Sequence, residues 1–199
     1  MANHVYFNIT VEGLDTGCKA LERAMPVETT ERMMYDDTMR TFKEIIDVDK
    51  LPMYENCGQE YDEDGNQTNW YDWGCTNVGA KWISFDDFEL TPDGYISGHS
   101  AWSHPYPFCE KLCEFIANMT NKEIDIRMTY EDEFRNFIGV WFNGDYEEIE
   151  GDELTEQFET KYKVDISDEN FDWWDEIEGH GVADELFDNL VHEWFDEVF

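Results

Sequence analysis

EIDIRMTYEDEFRNFIGVWFNGD, residues 123–145, holds two stretches in which β-branched and aromatic residues alternate with polar ones, EIDIRMTYEDE and then FRNFIGVWFNGD, the second closing on Gly144-Asp145. A period of two is that of a strand with one face in a core, so the pair reads as two neighbouring strands. Just upstream, Pro105 and Pro107 lead into Phe108, Leu112, Phe115, Ile116 and Met119. These recur at i, i+4, i+7, i+8 and i+11, the stripe of an amphipathic helix ending near Asn121.

Working further outward, KWISFDDFEL and YISGHSAWS flank a Thr91–Gly94 turn with Pro-Asp-Gly at its centre, which predicts an antiparallel hairpin. HVYFNITVE, residues 4–12, predicts a first strand closed by Gly13. From about 15 to 47, Leu21, Met25, Met33, Met34, Phe42, Ile45 and Ile46 fall at helical spacing. Pro26 splits this crossover, and Glu28–Thr30 can start its second piece. Residues 48–80 lose periodicity and collect Gly, Asn, Asp and Pro, a long loop excursion. WGCTNVGAKW, residues 73–82, closes that excursion and reads as scaffolding.

The order strand, helix, strand, strand, helix, strand, with one extra strand, predicts an α+β fold. Its expected form is a ferredoxin-like split βαβ antiparallel sheet with helices on one face, followed by an acidic helical C-terminal region. The expected division is 1–145 for the ferredoxin-like domain and 146–199 for the acidic amphipathic helical region.

HVYFNITVEG, the WG and GAKW of residues 73–82, SAWSHPYP and RNFIGVWFNGD, taken in that order, resemble the Api92-like proteins of phages and plasmids, the YubB ferredoxin-like group. The resemblance spans about residues 1–145. It implies a mobile-element origin and a ferredoxin-like domain, and the family brings no catalytic residues to carry over.

Forty-eight Asp and Glu against 13 Lys and Arg give a formal charge of −35, while 41% of residues are hydrophobic and 16% aromatic. That much apolar material belongs to a folded chain rather than a disordered acidic tail. The charge excludes nucleic acid and anionic membranes as direct partners, since both are bound by basic surfaces, and makes a basic protein the natural partner. No basic leader precedes an apolar run and no stretch reaches the length of a membrane span, which predicts a soluble protein of the host-cell cytoplasm. Five irregularly spaced Cys suit reduced thiols, so the sequons at Asn8, Asn66 and Asn118 read as accidental.

Residues 145–199 hold 21 Asp and Glu against Lys161 and Lys163, a net −19. The same segment carries Phe158, Tyr162, Phe171, Trp173, Trp174, Phe187, Trp194 and Phe195, too many aromatics to stay in solvent. Apolar pairs every four residues from Val182 to Phe199 predict a terminal amphipathic helix. Leu154, Phe158 and Tyr162 suit a second helix, and Ser167 can cap a third carrying Phe171, Trp174 and Ile177.

B-form DNA presents a charge per about 1.7 Å of axis, and six acids over the last 18 residues amount to one per roughly 4.5 Å. One helix is too dilute to imitate a duplex, whereas several side by side reach its density. The expected function is therefore that of a phage or mobile-element accessory protein that binds and inhibits a basic host factor, such as a DNA- or RNA-binding defence protein, through a DNA-mimic-like surface. The expected contacts are Asp172, Asp175, Glu176, Glu178, Asp184, Glu185, Asp188, Glu193, Asp196 and Glu197, with Trp173, Trp174 and Trp194 as anchors. Adaptation to high salt produces the same composition.

Two further readings remain. One is a metal-binding or enzymatic module using the 48–80 loop with His99 and His104. Cys109 and Cys113 lie one helical turn apart beside those His, a spacing zinc can use, although the packing reading, in which they act as small core hydrophobes, is favoured. Glu60, Asp62, Asp64 and Gly65 begin like a calcium loop, but its twelfth position is Tyr71. The other is an acidic ferredoxin-like domain that self-associates through its C-terminal helix as a homodimer. No nucleophile or phosphate-loop motif occurs, so no catalytic residue, cofactor or metal is assigned.

Overall fold

The computed structural model describes residues 3–14, 75, 78–88 and 95–198. The expected crossover at 15–47, nearly all of the 48–80 excursion with its calcium-like loop, and the turn at 91–94 lie outside the described residues.

The order within them is β1 (His4–Glu12), β2 (Ile83–Phe88), β3 (Tyr95–Ala101), α1 (Tyr106–Thr120), β4 (Asp125–Asp132), β5 (Phe137–Phe142), β6 (Asp145–Glu150), α2 (Gly151–Tyr162) and α3 (Ala183–Glu197). The fold is α+β, with one open antiparallel sheet in the order β2-β3-β1-β4-β5-β6. β1 pairs antiparallel with both β3 and β4, so those two run parallel to each other with β1 between them and α1 as their crossover. Among the described residues no helix is long and apolar enough to cross a membrane.

Register explains the first core. Phe7 faces Gly98 and Tyr130, and Ile9 faces Ile96 and Met128, so alternate residues of three strands share one face. Phe108, Cys109, Leu112 and Ile116 of α1 are buried against that face. α1 ends where the sequence predicts, at Asn121, whose left-handed backbone returns its N–H to the Ala117 carbonyl.

β5 has two buried faces. Residues 138–141 are all buried; Trp141 belongs to the first core, and Ile138 joins Ile149, Leu154, Phe158, Leu186, Phe187 and Leu190 in a second. α2 and α3, which follow the expected ferredoxin-like part, therefore cover the opposite side of the sheet from α1. The physical reason is legible in FIGVW, an unbroken apolar run of the kind found in strands covered on both sides.

Two expectations for the acidic region are corrected. Residues 146–150, expected to open the helical region, instead form with Asp145 the outer strand β6, paired along β5 from Phe137↔Glu150 to Phe142↔Asp145. The helix expected to start at Ser167 is absent, and residues 165–182 run as turns. There the Oδ1 atoms of Asp165, Asp168 and Asp172 accept from the backbone N–H groups of Ser167, Asn170 and Trp174 at 2.9–3.0 Å. Short polar side chains that bond their own backbone two residues on compete with helical hydrogen bonds, and here they win.

Candidate interaction surface

The sites proposed from sequence separate in space. His99 lies on the outward face of the sheet, its ring 5.0 Å from His4 and 5.6 Å from Trp82, with Nδ1 3.7 Å from Asp86. His104 lies on the other face, stacked on Tyr130 at 4.0 Å. Cys109 is buried with Sγ 3.7 Å from Met128 Sδ, and the Cys113 thiol reaches the Ile124 carbonyl at 3.5 Å. The four residues offered for zinc are thus divided by the sheet, and no group of three or more His, Cys, Asp or Glu is placed to hold a metal among the described residues. Burial pushes the Cys109 thiol far above its ordinary range, with Glu110 and Cys113 adding to the effect, so it behaves as a core hydrophobe.

Around WGCTNVGAKW, Trp82 packs edge-on to His4 and His99, Lys81 sits over the Trp102 ring, and Ser103 Oγ donates to the Gly79 carbonyl. Ser103 and Gly79 come from two of the motifs behind the resemblance, so these stretches support each other as scaffold.

Burial holds His104 neutral by lowering its pKa from 6.5 to about 4. As pH falls below 6.5, the unfolded chain takes up a proton that the folded one refuses until about pH 4, and stability is lost across that window. The shift amounts to roughly 3 kcal/mol. His104→Phe keeps a ring on Tyr130, so the fall in urea midpoint between pH 7 and 4.5 should be smaller than in the wild type.

The acidic half is assembled on the second core. Phe158, Trp173 and Phe187 pack with ring centroids 4.9–6.1 Å apart, and Phe171 meets Trp173 at 5.0 Å. This burial turns the neighbouring carboxylates outward. Asp172, Asp175, Glu176, Glu178, Glu185, Glu193, Asp196 and Glu197 are exposed. Of the three expected anchors, Trp174 is 77% exposed, while Trp173 and Trp194 are half-buried and pack against the second core.

Some of the expected contact residues have structural work. Asp184 and Asp188 both pair with Arg135, whose guanidinium also lies 4.9 Å from the Phe187 ring centre. Glu193 pairs with Lys161 on the surface, where such a contact is worth under about 1 kcal/mol. α3 has acids in its first turn, favourable to its dipole, and no basic residue in its last. Arg127 of β4 supplies the missing cation, donating from Nη2 to the carbonyls of Phe195 and Val198. Beside it, Tyr6, Asn8, Thr129, His192 and Asp196 line a cleft of about 410 Å³. No family model, curated protein or solved structure matches the chain.

The sequence reading missed Arg127, Arg135 and the turn between β4 and β5. In that turn the buried Asp132 carboxylate accepts from the backbone N–H groups of Phe134, at 3.1 Å, and Asn136, at 3.4 Å, and from the Asn136 side chain. These bonds hold Arg135 at φ 55° toward α3 and leave Phe134 66% exposed. Asp followed by Asn four residues later, between two strands, was the available signal.

Proposed function

We infer that this chain binds a basic protein through the exposed carboxylates of its C-terminal half and blocks that protein's hold on nucleic acid. The observation behind this reading is the connection at 165–182, with seven Asp and Glu and no Lys or Arg in 18 residues. Asp175, Glu176 and Glu178 there, and Glu185 on α3, have no ion pair among the described residues. With Asp184, Asp188 and Glu193 engaged, the field comes from the connection together with α2 and the ends of α3, rather than from α3 alone. An array of carboxylates held on a folded surface attracts and orients a positive patch at a lower ordering cost than a disordered acidic tail.

The strand order β2-β3-β1-β4, with α1 between β3 and β4, supports a ferredoxin-like assignment for the first part of the chain, while the Api92-like family and a phage or plasmid source rest on the sequence motifs alone. On that reading the target is a nucleic-acid-binding host defence protein in the host cytoplasm.

The test is displacement of duplex DNA from a sequence-nonspecific basic DNA-binding protein. A variant with Asp175→Asn, Glu176→Gln, Glu178→Gln and Glu185→Gln leaves the turn-forming Asp165, Asp168 and Asp172 and the Arg135 pairs in place. The wild type should compete at low salt and weaken as salt rises, and the variant should compete at least tenfold more weakly. Equal competition by the variant overturns the electrostatic reading.

A further inference from the structure

The β4–β5 turn, the start of α2 and the 165–182 connection enclose a groove of about 390 Å³. Ile166, Trp173 and Phe187 contribute apolar surface to it, Phe134 stands at its edge, and Glu150 and Asp152 line it as well. Gly151 makes this closeness possible, because a Cβ there would come within 2.1 Å of the Arg135 carbonyl oxygen. Any side chain at 151 would push α2 away from the turn and open the groove.

The charge of the groove is one-sided. Arg135 lines it, but Asp184 and Asp188 already answer that guanidinium, so Glu150 and Asp152 leave the groove acidic. An anionic ligand is repelled, and a small neutral one leaves the carboxylates unanswered.

Phe134 is a large apolar side chain presented to solvent by a turn that Asp132 holds in shape. Large aromatic side chains that are exposed in the free protein and buried on binding are typical of the few residues that carry most of an interface's energy.

We propose that this groove is the anchor site for the basic partner, receiving one large apolar side chain that is flanked in the partner's sequence by Lys or Arg. The assignment rests on the electrostatic reading above and adds to it a pocket and a residue pattern. The apolar side chain packs between Phe134 and Trp173 while its basic neighbours meet Glu150 and Asp152.

Two labelled peptides of equal charge test it: Lys-Arg-Lys-Trp-Lys-Arg-Lys and the same peptide with Ala for Trp, titrated by fluorescence anisotropy at 50 and 300 mM salt. The wild type should bind the Trp peptide about tenfold more tightly, a ratio that persists at high salt. Phe134→Ser, which changes an exposed side chain, and Thr155→Trp, which fills the groove, should each bring the ratio close to one while leaving the Ala peptide's affinity unchanged. Thermal unfolding checks that both variants fold.

Equal affinity of the two peptides for the wild type, or a ratio that survives in both variants, overturns the anchor assignment while leaving the electrostatic reading intact. Failure of that reading looks different: Ala-peptide binding would respond neither to salt nor to neutralising Asp175, Glu176, Glu178 and Glu185. A dimer in sedimentation that is lost in Phe134→Ser and excludes the Trp peptide would give the groove to a second copy of this chain and overturn the proposal.

Discussion

A chain cut back to residues 1–145 should fail to hold its sheet, giving a broadened thermal transition and aggregation rather than a smaller folded protein. The cut removes all of β6 but Asp145, together with α2 and α3, the helices on the second face among the described residues, so Ile138 and Val140, both fully buried, become exposed on β5. β5 also becomes an uncovered apolar edge, the kind of strand that pairs with other chains. Fully burying a residue of the Leu or Phe class contributes about 1.5–3 kcal/mol, and the lost cluster contains Leu154, Phe158, Leu186, Phe187 and Leu190. Together these five amount to about 7.5–15 kcal/mol, as large as the roughly 5–15 kcal/mol by which domains are ordinarily stable. Near-ultraviolet circular dichroism and light scattering of the truncated chain check this, and a soluble fragment with a sharp two-state transition would refute it. Binding lost on truncation therefore says nothing about charge, which is why the neutralised full-length variant is the proper test of function.

The second large effect is expected at Gly139. A Cβ there would fall 2.2–2.6 Å from the Tyr130 ring and hydroxyl. Tyr130 has little room to give way, because His104 stacks on it, Phe137 meets it edge-on, and its hydroxyl donates to Glu148 Oε2 at 3.0 Å. Gly139→Ala must then displace the ring from His104 or bend β5 away from β4, at a cost of about 3 kcal/mol, the upper end for overpacking. A chemical denaturation curve would show the loss as a lower midpoint with unchanged slope. The paired change Gly139→Ala with Tyr130→Leu should recover much of it, since the shorter side chain vacates that space.

Most of the sheet could be read from side-chain periodicity. β1 alternates buried and exposed residues along its whole length, and β4 does so with partly exposed outward positions. β6 escaped because only Ile149 of its six residues is buried and four of the others are acids, so no alternation reaches the sequence. The connection at 165–182 was misread because its Phe and Trp spacing fits a helix, while the competing bonds from Asp165, Asp168 and Asp172 depend on which polar groups the backbone meets. At the candidate surface the acid was visible from composition, but its division between ion-paired Asp184 and Asp188 and unpaired Asp175 or Glu178 depends on Arg135, which approaches from another strand. Position in sequence carries no trace of that approach.

The outer strand β6 closes one side of the sheet with Asp145, Glu147, Glu148 and Glu150. Two copies meeting along this border would set one row of carboxylates against another, so the molecule repels its own likeness where open sheets are most prone to join. The acid of the outermost strand thus guards this border of the sheet against pairing with its own kind, independently of any pocket.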